Sequence, residues 1–390
     1  MKTKTIKVCT LILGLFFVQD VMSTPTISDL KVTPIEPLGL AIDYKVSGAT
    51  DGDADGYYLS VSMNANGTTY FARSLFGATK CENGKHRVYW NAAKEGFELG
   101  EANLNVTVAY KRVPLYCVIG LSSGAVTYMD NPPSEGFNTT EYKTRKIVLK
   151  RVNPGTFIMG EDQTNEAHRV TLTKPFYLGL FEVTQGQWMS VMGSNPCSGS
   201  KYGYGSTNPV EYVSYDMIRG NSEGSKWPAT NSVDSTSFMG RLRTKTGIDF
   251  DLPTAAQWEY ACRAGTTTTY SYVVDESGHN MWWYWSSSFS SHEVGTMQAN
   301  PWGFYDMHGN VWEYCLDWYG TLAYGMDPQS PSSGSYRAVR GGSWYSSHES
   351  ECASYSLSGH APSSVGFTVG EGKYAVDYGT YGLRISLSLQ

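Results

Sequence analysis

From about Gly265 to the C-terminus the chain is dominated by Trp, Tyr, Gly and Ser, in segments such as "NPWGFYDMHGNVWEYCLDWYG" and "RGGSWYSSHESECASYS". Such a stretch predicts short strands and ordered loops with little regular secondary structure. A core made this way rests on large aromatic anchors, and the 390-residue chain supplies 28 Tyr and 11 Trp beside 41 Gly. That length favours two or three domains.

Two other regions have clearer periods. Between residues 24 and 112, "GLAIDYKV" places Leu40, Ile42, Tyr44 and Val46 on one face, against Asp43 and Lys45 on the other. "YYLSVSM" and "ANLNVTVAY" alternate in the same way. Period-2 runs between Gly, Asn and Asp turns predict a small antiparallel β-sandwich over 24–112. Residues 113–147, with "NPPSEGFNTTEYKT", read as a connector. A second domain follows over 148–390. Its clearest helix is "LPTAAQWEYACRAG": Thr254 is the N-cap, Gln257 completes a capping box, and Gly265 ends it. Trp258 and Cys262, four apart, share one face. "VTQGQWMSVMG" and "DSTSFMGRLRTKTG" read as two further glycine-closed helices.

"DGDADG", residues 51–56, has the spacing that opens a calcium loop. The twelfth position would be Ser62 rather than a bidentate Glu, and Asp and Gly are turn formers, so the turn reading is favoured.

The N-terminus carries Lys2, Lys4 and Lys7, the apolar run Val8–Phe17, and Val21 and Ser23 at cleavage-site spacing. This pattern predicts a signal peptide over 1–23 and an exported protein, periplasmic or extracellular. The run is too short to span a bilayer, and no later segment is apolar enough for a membrane span. A net charge of -6, with no basic cluster beyond the short "EYKTRKIVLKR" stretch, argues against a nucleic-acid partner. Six cysteines remain after Cys9 leaves with the signal. An even number in an exported chain permits disulfides, and no CxxC pair suggests a zinc ribbon. Pairing among Cys81, Cys117, Cys197 and Cys315 stays open.

Seven segments then occur in order: "VNPGTFIMG", "HRVTLTKPFYLGLFEVTQGQWMSVMG", "NPVEYVSYD", "FDLPTAAQWEYACRAG", "NPWGFYDMHGNVWEYCLDWYG", "RAVRGGSW" and "YGLRI". Together they resemble the formylglycine-generating enzyme, or sulfatase-modifying factor, family. The resemblance implies an α+β C-type-lectin-like domain with few regular elements, here preceded by the small all-β sandwich. Members acting on sulfatases oxidise a substrate cysteine to formylglycine, using copper held by two thiols just after a "GGS" motif. Cu(I) is soft and prefers thiolate. Ser343 and Trp344 match the start of that motif, and with Trp312 they would frame the pocket. The first thiol position falls on Ser346 and the second near Glu351, so copper is not expected here. The resemblance also implies a Cys262–Cys352 disulfide. It further implies a calcium site from the carboxylates of Asp306 and Glu313 and the carbonyls of Gly309 and Val311. Related enzymes of the ergothioneine pathway bind iron through three histidines, but His168, His279, His292, His308, His348 and His360 are scattered here.

Residues 344–381 have the Tyr-, Ser- and Gly-rich composition of a paratope. They also resemble, in position and composition, the mutagenised region of retroelement variable proteins. Trp344, Tyr345, His348, Tyr355, Tyr378 and Tyr381 are the candidate binding surface. The leading expectation is a module that binds a protein or glycan through its lectin-like face. An active oxidase that matures sulfatases and a structural envelope protein are the alternatives.

Overall fold

The computed structural model describes residues 25–389, apart from 36–38, 50–55, 66–67, 73–74, 78–79, 91–104, 162–166, 199–202, 273–289, 322–323, 330 and 370–375. The signal-peptide segment and all of "DGDADG" except Gly56 lie outside the described residues. Two compact units divide the chain. The first holds the chain up to Pro114 together with Thr173–Pro175 and the residues after Ser388, and the second runs over Leu115–Leu172 and Phe176–Ser388.

The first unit is all β. Its strands are β1 (Thr26–Ile35), β2 (Gly39–Ser47), β3 (Tyr57–Ala65), β4 (Thr68–Phe71), β5 (Leu75–Gly77), β6 (Gly84–Trp90) and β7 (Asn105–Arg112). They form two antiparallel sheets, ordered β1-β2-β6-β5 and β4-β3-β7. The predicted alternation is met: Leu40, Ile42, Tyr44 and Val46 of β2 pack with Leu59, Val61 and Met63 of β3 and with Val106 and Val108 of β7.

The second unit has short strands: β8 (Tyr116–Gly120), β9 (Val126–Met129), β10 (Lys146–Val152), β11 (Gly155–Met159), β12 (His168–Leu172), β13 (Phe176–Gly179), β14 (Trp312–Trp318), β15 (Gly325–Met326), β16 (Arg337–Arg340), β17 (Ser358–His360), β18 (Gly366–Val369), β19 (Val376–Gly379), β20 (Tyr381–Gly382) and β21 (Ser386–Ser388). Two of its sheets matter most here, one ordered β21-β13-β10-β8-β9 and one β17-β16-β14-β20. Residues 113–147 therefore hold more than a connector. The run Tyr116–Ile119 is buried and pairs with β10 in mid-sheet, and continuous apolar runs are how fully buried strands read.

The helices are α1 (Thr140–Thr144), α2 (Gln185–Met192), α3 (Tyr215–Arg219), α4 (Phe238–Thr246) and α5 (Ala255–Arg263). Helix α5 starts with the expected capping box, in which Gln257 N donates to Thr254 Oγ1 and Thr254 N donates to Gln257 Oε1. The left-handed residue that closes it is Ala264 (φ 48°), one place before the expected Gly265.

Long loops leave many carbonyls without a ladder partner, and buried carbonyls need donors. Arginines supply them. Arg384 donates to the carbonyls of Gly179 and Tyr305, Arg337 to those of Leu316 and Ser225, and Arg340 to those of Tyr355 and Ser356. A guanidinium with five N–H donors suits this role.

Candidate functional site

Strands β14 and β16 pair antiparallel, and the chain leaving β16 turns through Gly341 (φ 97°) and Gly342 (φ 75°). Both glycines are in the left-handed region, where a side chain is strained. A methyl at Gly342 would also overlap the Cys352 sulfur. This turn delivers Ser343, Trp344 and Ser346 to the interior, where all three are buried. Trp344 N donates to the Asn310 carbonyl at 2.8 Å, tying the turn to the loop before β14.

Ser346 is 2% exposed. Its hydroxyl accepts a hydrogen bond from Ser343 N at 3.0 Å, and its own N–H donates to the Ser343 carbonyl at 3.0 Å. The side chain thus closes a local turn. Glu351 caps the short 3₁₀ segment Glu349–Cys352, accepting from Ser347 N, Ser347 Oγ and His348 N. Ser346 and Glu351, at and near the places where the resemblance puts the thiols, are thus oxygen groups with structural tasks.

Cys262 and Cys352 are separate, fully buried thiols, so the implied disulfide is not formed in this structure. Each sulfur has its own surroundings. The Cys262 sulfur lies 3.6 Å from both the Met307 carbonyl and His308 Nε2. The Cys352 sulfur is packed against Gly342, near the Ser346 side chain. Burial pushes the Cys262 thiol up to about 12 and the Cys352 thiol further still, so neither presents a thiolate. His308 bridges them. Its Nδ1 is 2.8 Å from the Cys352 carbonyl, an acceptor only, so that nitrogen carries the proton. Nε2 is then the acceptor, facing Ser271 Oγ at 2.8 Å and the Cys262 thiol. Burial lowers the His308 pKa to about 4 and keeps the ring neutral.

Of the residues expected to bind calcium, Glu313 pairs with a buried arginine. Glu313 receives Arg384 through Nε and Nη2 at 2.7–3.1 Å and Trp258 Nε1 at 2.7 Å. Asp306 accepts from Gly295 N at 2.6 Å, and its other oxygen is buried without a hydrogen-bond partner. Val311 N donates to Glu182, another fully buried carboxyl. Arg384 is held charged mainly by Glu313, with Glu182 and Asp306 also contributing. A guanidinium thus lies against Glu313, one of the four residues of the expected calcium site. Calcium takes 6–8 oxygen ligands, and Glu313 has both oxygens engaged elsewhere. Among the described residues no group of three or more His, Cys, Asp or Glu side chains could hold a metal. Burial, followed by neighbouring carboxylates, raises Glu182 well above the usual carboxylate range. Burial also raises Asp306 to about 6.

The candidate binding surface divides. Trp344 (1% exposed) and Tyr381 (0%) belong to the core. The Trp344 indole N–H donates to Glu211 Oε1 at 3.1 Å, and the Tyr381 hydroxyl is 2.6 Å from His360 Nδ1. Tyr345 and Tyr355 are half-buried, and His348 is exposed with Ser347, Glu349 and Ser350. Tyr378 lies in β19, and its side chain is outside the described residues. Trp312 is buried, with its indole N–H unpartnered.

Two buried acids escaped sequence reading. Glu211 is fully buried, with its second oxygen near Ser291 Oγ at a geometry short of a full hydrogen bond. Burial raises its pKa well above the usual value. Glu182 sits in "LGLFEV" and Glu211 in "NPVEYV". A lone acid inside an apolar run was the available signal for both.

A family description, "Sulfatase-modifying factor enzyme 1-like domain", matches residues 136–370. The chain is 33% identical over 242 residues to chaperone protein LppX of Paenibacillus barcinonensis, covering 53% of this chain and 82% of that one. It is 30% identical over 207 residues to serine/threonine-protein kinase pkn1 of Chlamydia caviae, covering 50% of this chain and 32% of the kinase. The chain thus spans most of the first relative and about a third of the second. Among solved structures it is similar to Treponema denticola variable protein 1, with TM-score 0.49, 25% identity, and coverage of 62% of this chain and 95% of that one.

Proposed function

Because the chain belongs to the sulfatase-modifying-factor family, whose domain here has an α+β C-type-lectin-like fold, we propose that it is a binding member rather than an oxidising one. The observation that carries this reading is Ser346. A buried hydroxyl stands where copper chemistry needs a thiolate, and it is already spent on closing the Ser343–Ser346 turn. A hard oxygen ligand does not replace a soft one for Cu(I). Cys352, the nearest sulfur in sequence, is held as a neutral thiol by burial.

The surface that binds is the exposed rim above this turn: His348 and Ser347, flanked by Tyr345 and Tyr355. Tyrosine gives rigid contact area, and serine adapts its hydrogen bonding. A protein is the ligand class we favour. One relative carries the name chaperone protein, which fits a task of holding other chains. Export through the N-terminal signal places this encounter outside the cytoplasm.

Two experiments test the reading. Anaerobic Cu(I) titration of the purified chain, followed by assay on a C-x-P-x-R peptide, should give neither a thiolate–copper absorption band nor turnover. Turnover would overturn the proposal. Cross-linking from position 348 should capture a protein partner, and a Tyr345→Ala, Tyr355→Ala double variant with an unchanged melting point should lose it.

A further inference from the structure

A groove of about 390 Å³ opens in the second unit where the end of α5 meets β11 and β12. It shares no residue with the Ser343–Ser346 turn or with the rim around His348. Its size falls at the small end of clefts that enclose single small molecules. Phe157, Tyr260 and Trp302 line it, with Phe157 and Tyr260 centroids 5.1 Å apart and Tyr260 and Trp302 4.9 Å apart in an edge-to-face pair.

Three polar groups among these walls have no hydrogen-bond partner among the described residues: the Tyr260 hydroxyl, the Trp302 indole N–H and the Thr267 hydroxyl. The two arginines of the groove differ. Arg263 is buried, paired with Glu259 at 2.8 Å and bonded to the Gly160 carbonyl at 2.6 Å. Arg169 is exposed and, among the described residues, has neither an acid nor a carbonyl partner. Among the described residues, the groove therefore presents one unspent positive charge. β11 is shaped to it: a methyl at Gly155 would overlap the Tyr260 hydroxyl.

We propose that this groove binds a single sugar ring carrying a carboxylate, a hexuronate. The negative faces of the aromatic rings attract the polarised C–H groups of a pyranose. The ring hydroxyls meet Tyr260, Trp302 and Thr267, and the carboxylate pairs with Arg169 through its planar fork. A flat aromatic ligand without hydroxyls would bury those three groups unpaired, which is unfavourable. A neutral sugar would leave the cation unused.

Calorimetric titration of the full chain with sodium glucuronate, glucose and sodium acetate, at matched ionic strength, tests this. Glucuronate should bind saturably, with glucose and acetate each weaker by about tenfold or more. Arg169→Gln, at an exposed position, should keep the wild-type melting point, reduce glucuronate to the level of glucose and leave glucose unchanged. Absence of saturable glucuronate binding would overturn the proposal. So would equal binding of acetate, equal binding of glucose, or full glucuronate affinity in the Arg169→Gln chain.

Discussion

Among the described residues, Ser60 is the sole polar side chain buried in the β-sandwich, while the second unit buries Arg219, Arg337, Arg340 and Arg384 together with Glu182, Glu211, Glu259 and Glu313. The difference follows from how each unit satisfies its backbone. Sandwich strands pair with one another along seven- and eight-residue registers, so side chains are free to be apolar. The second unit crosses its core with loops, and side chains must reach the carbonyls that ladders would otherwise satisfy. Arginine does this at the cost of burying charge, so Arg219, Arg340 and Arg384 bring carboxylates in with them, while Arg337 lies over the Tyr215 and Trp318 rings. Arg340 lies 3.0 Å from Glu259 Oε2, within ion-pair range though off the hydrogen-bond direction. Arg219 is forked onto Asp251 at 2.7 and 2.9 Å.

The comparison can be broken most severely at Arg384. Arg384→Met leaves Glu313 buried and uncompensated, and removing one partner of such a pair costs about 3 to 5 kcal/mol. Calorimetry should show the second unit's transition collapsing while the sandwich transition stays in place. The reverse experiment is Ile42→Ala, a cavity in an apolar core, which should lower the sandwich transition alone by about 3 kcal/mol.

A pH series sharpens the contrast further. Glu211 has a folded pKa raised by burial, so the folded chain holds a proton that the unfolded chain releases above the ordinary glutamate value of about 4.3. Its contribution to stability is present below that value and is lost as pH rises toward the folded pKa. Glu211→Gln removes the loss. The variant should match wild type near pH 4 and gain on it by about 1.4 kcal/mol per pH unit above that, until the folded group ionises. His308 works in the opposite sense. Its lowered pKa makes stability present above 6.5 and lost as pH falls toward about 4. A His308→Gln chain should therefore lose less stability than wild type on acidification through that window.

Smaller effects lie at the edges of the comparison. With both Glu313 oxygens engaged by Arg384 and Trp258, calcium or EGTA should leave the second unit's melting point unchanged, and a rise on adding calcium would make Asp306 and Glu313 its ligands. In the sandwich, Arg87 and Asp43 form a bidentate pair with side-chain exposures of 56% and 29%. Solvent screens such pairs, so Arg87→Ala should produce no measurable change in midpoint.

What the sequence disclosed follows the same division. Alternation in "GLAIDYKV" placed four core residues of β2, because period 2 is local and one sheet face is dry. The capping box of Thr254 and Gln257 was legible for the same reason. The partner of Glu313 was not, since Arg384 lies 71 residues away and only the fold brings it near. Composition marked residues 344–381 as aromatic and polar, but it holds no information on facing. Trp344 and Tyr381 turned inward, while Tyr345 and His348 stayed at the rim. The implied partners of Cys352 and Asp306 came from resemblance, which carries no information on the buried groups that surround each here, Ser346 and His308 for the one and Arg384 for the other.

Arg384 also sets a clock on synthesis. It reaches back 205 residues to the Gly179 carbonyl, and the adjacent strand β21 closes the edge of the sheet beside β13. Until that last strand has left the ribosome, Glu313 has no countercharge and β13 keeps an open edge. Closing so distant a contact is slow, and an open strand edge is sticky. The second unit is therefore predicted to remain aggregation-prone through nearly all of its translation. It should become protease-resistant only once the residues of β21 are available, a step that pulse-labelled nascent chains of graded length would time.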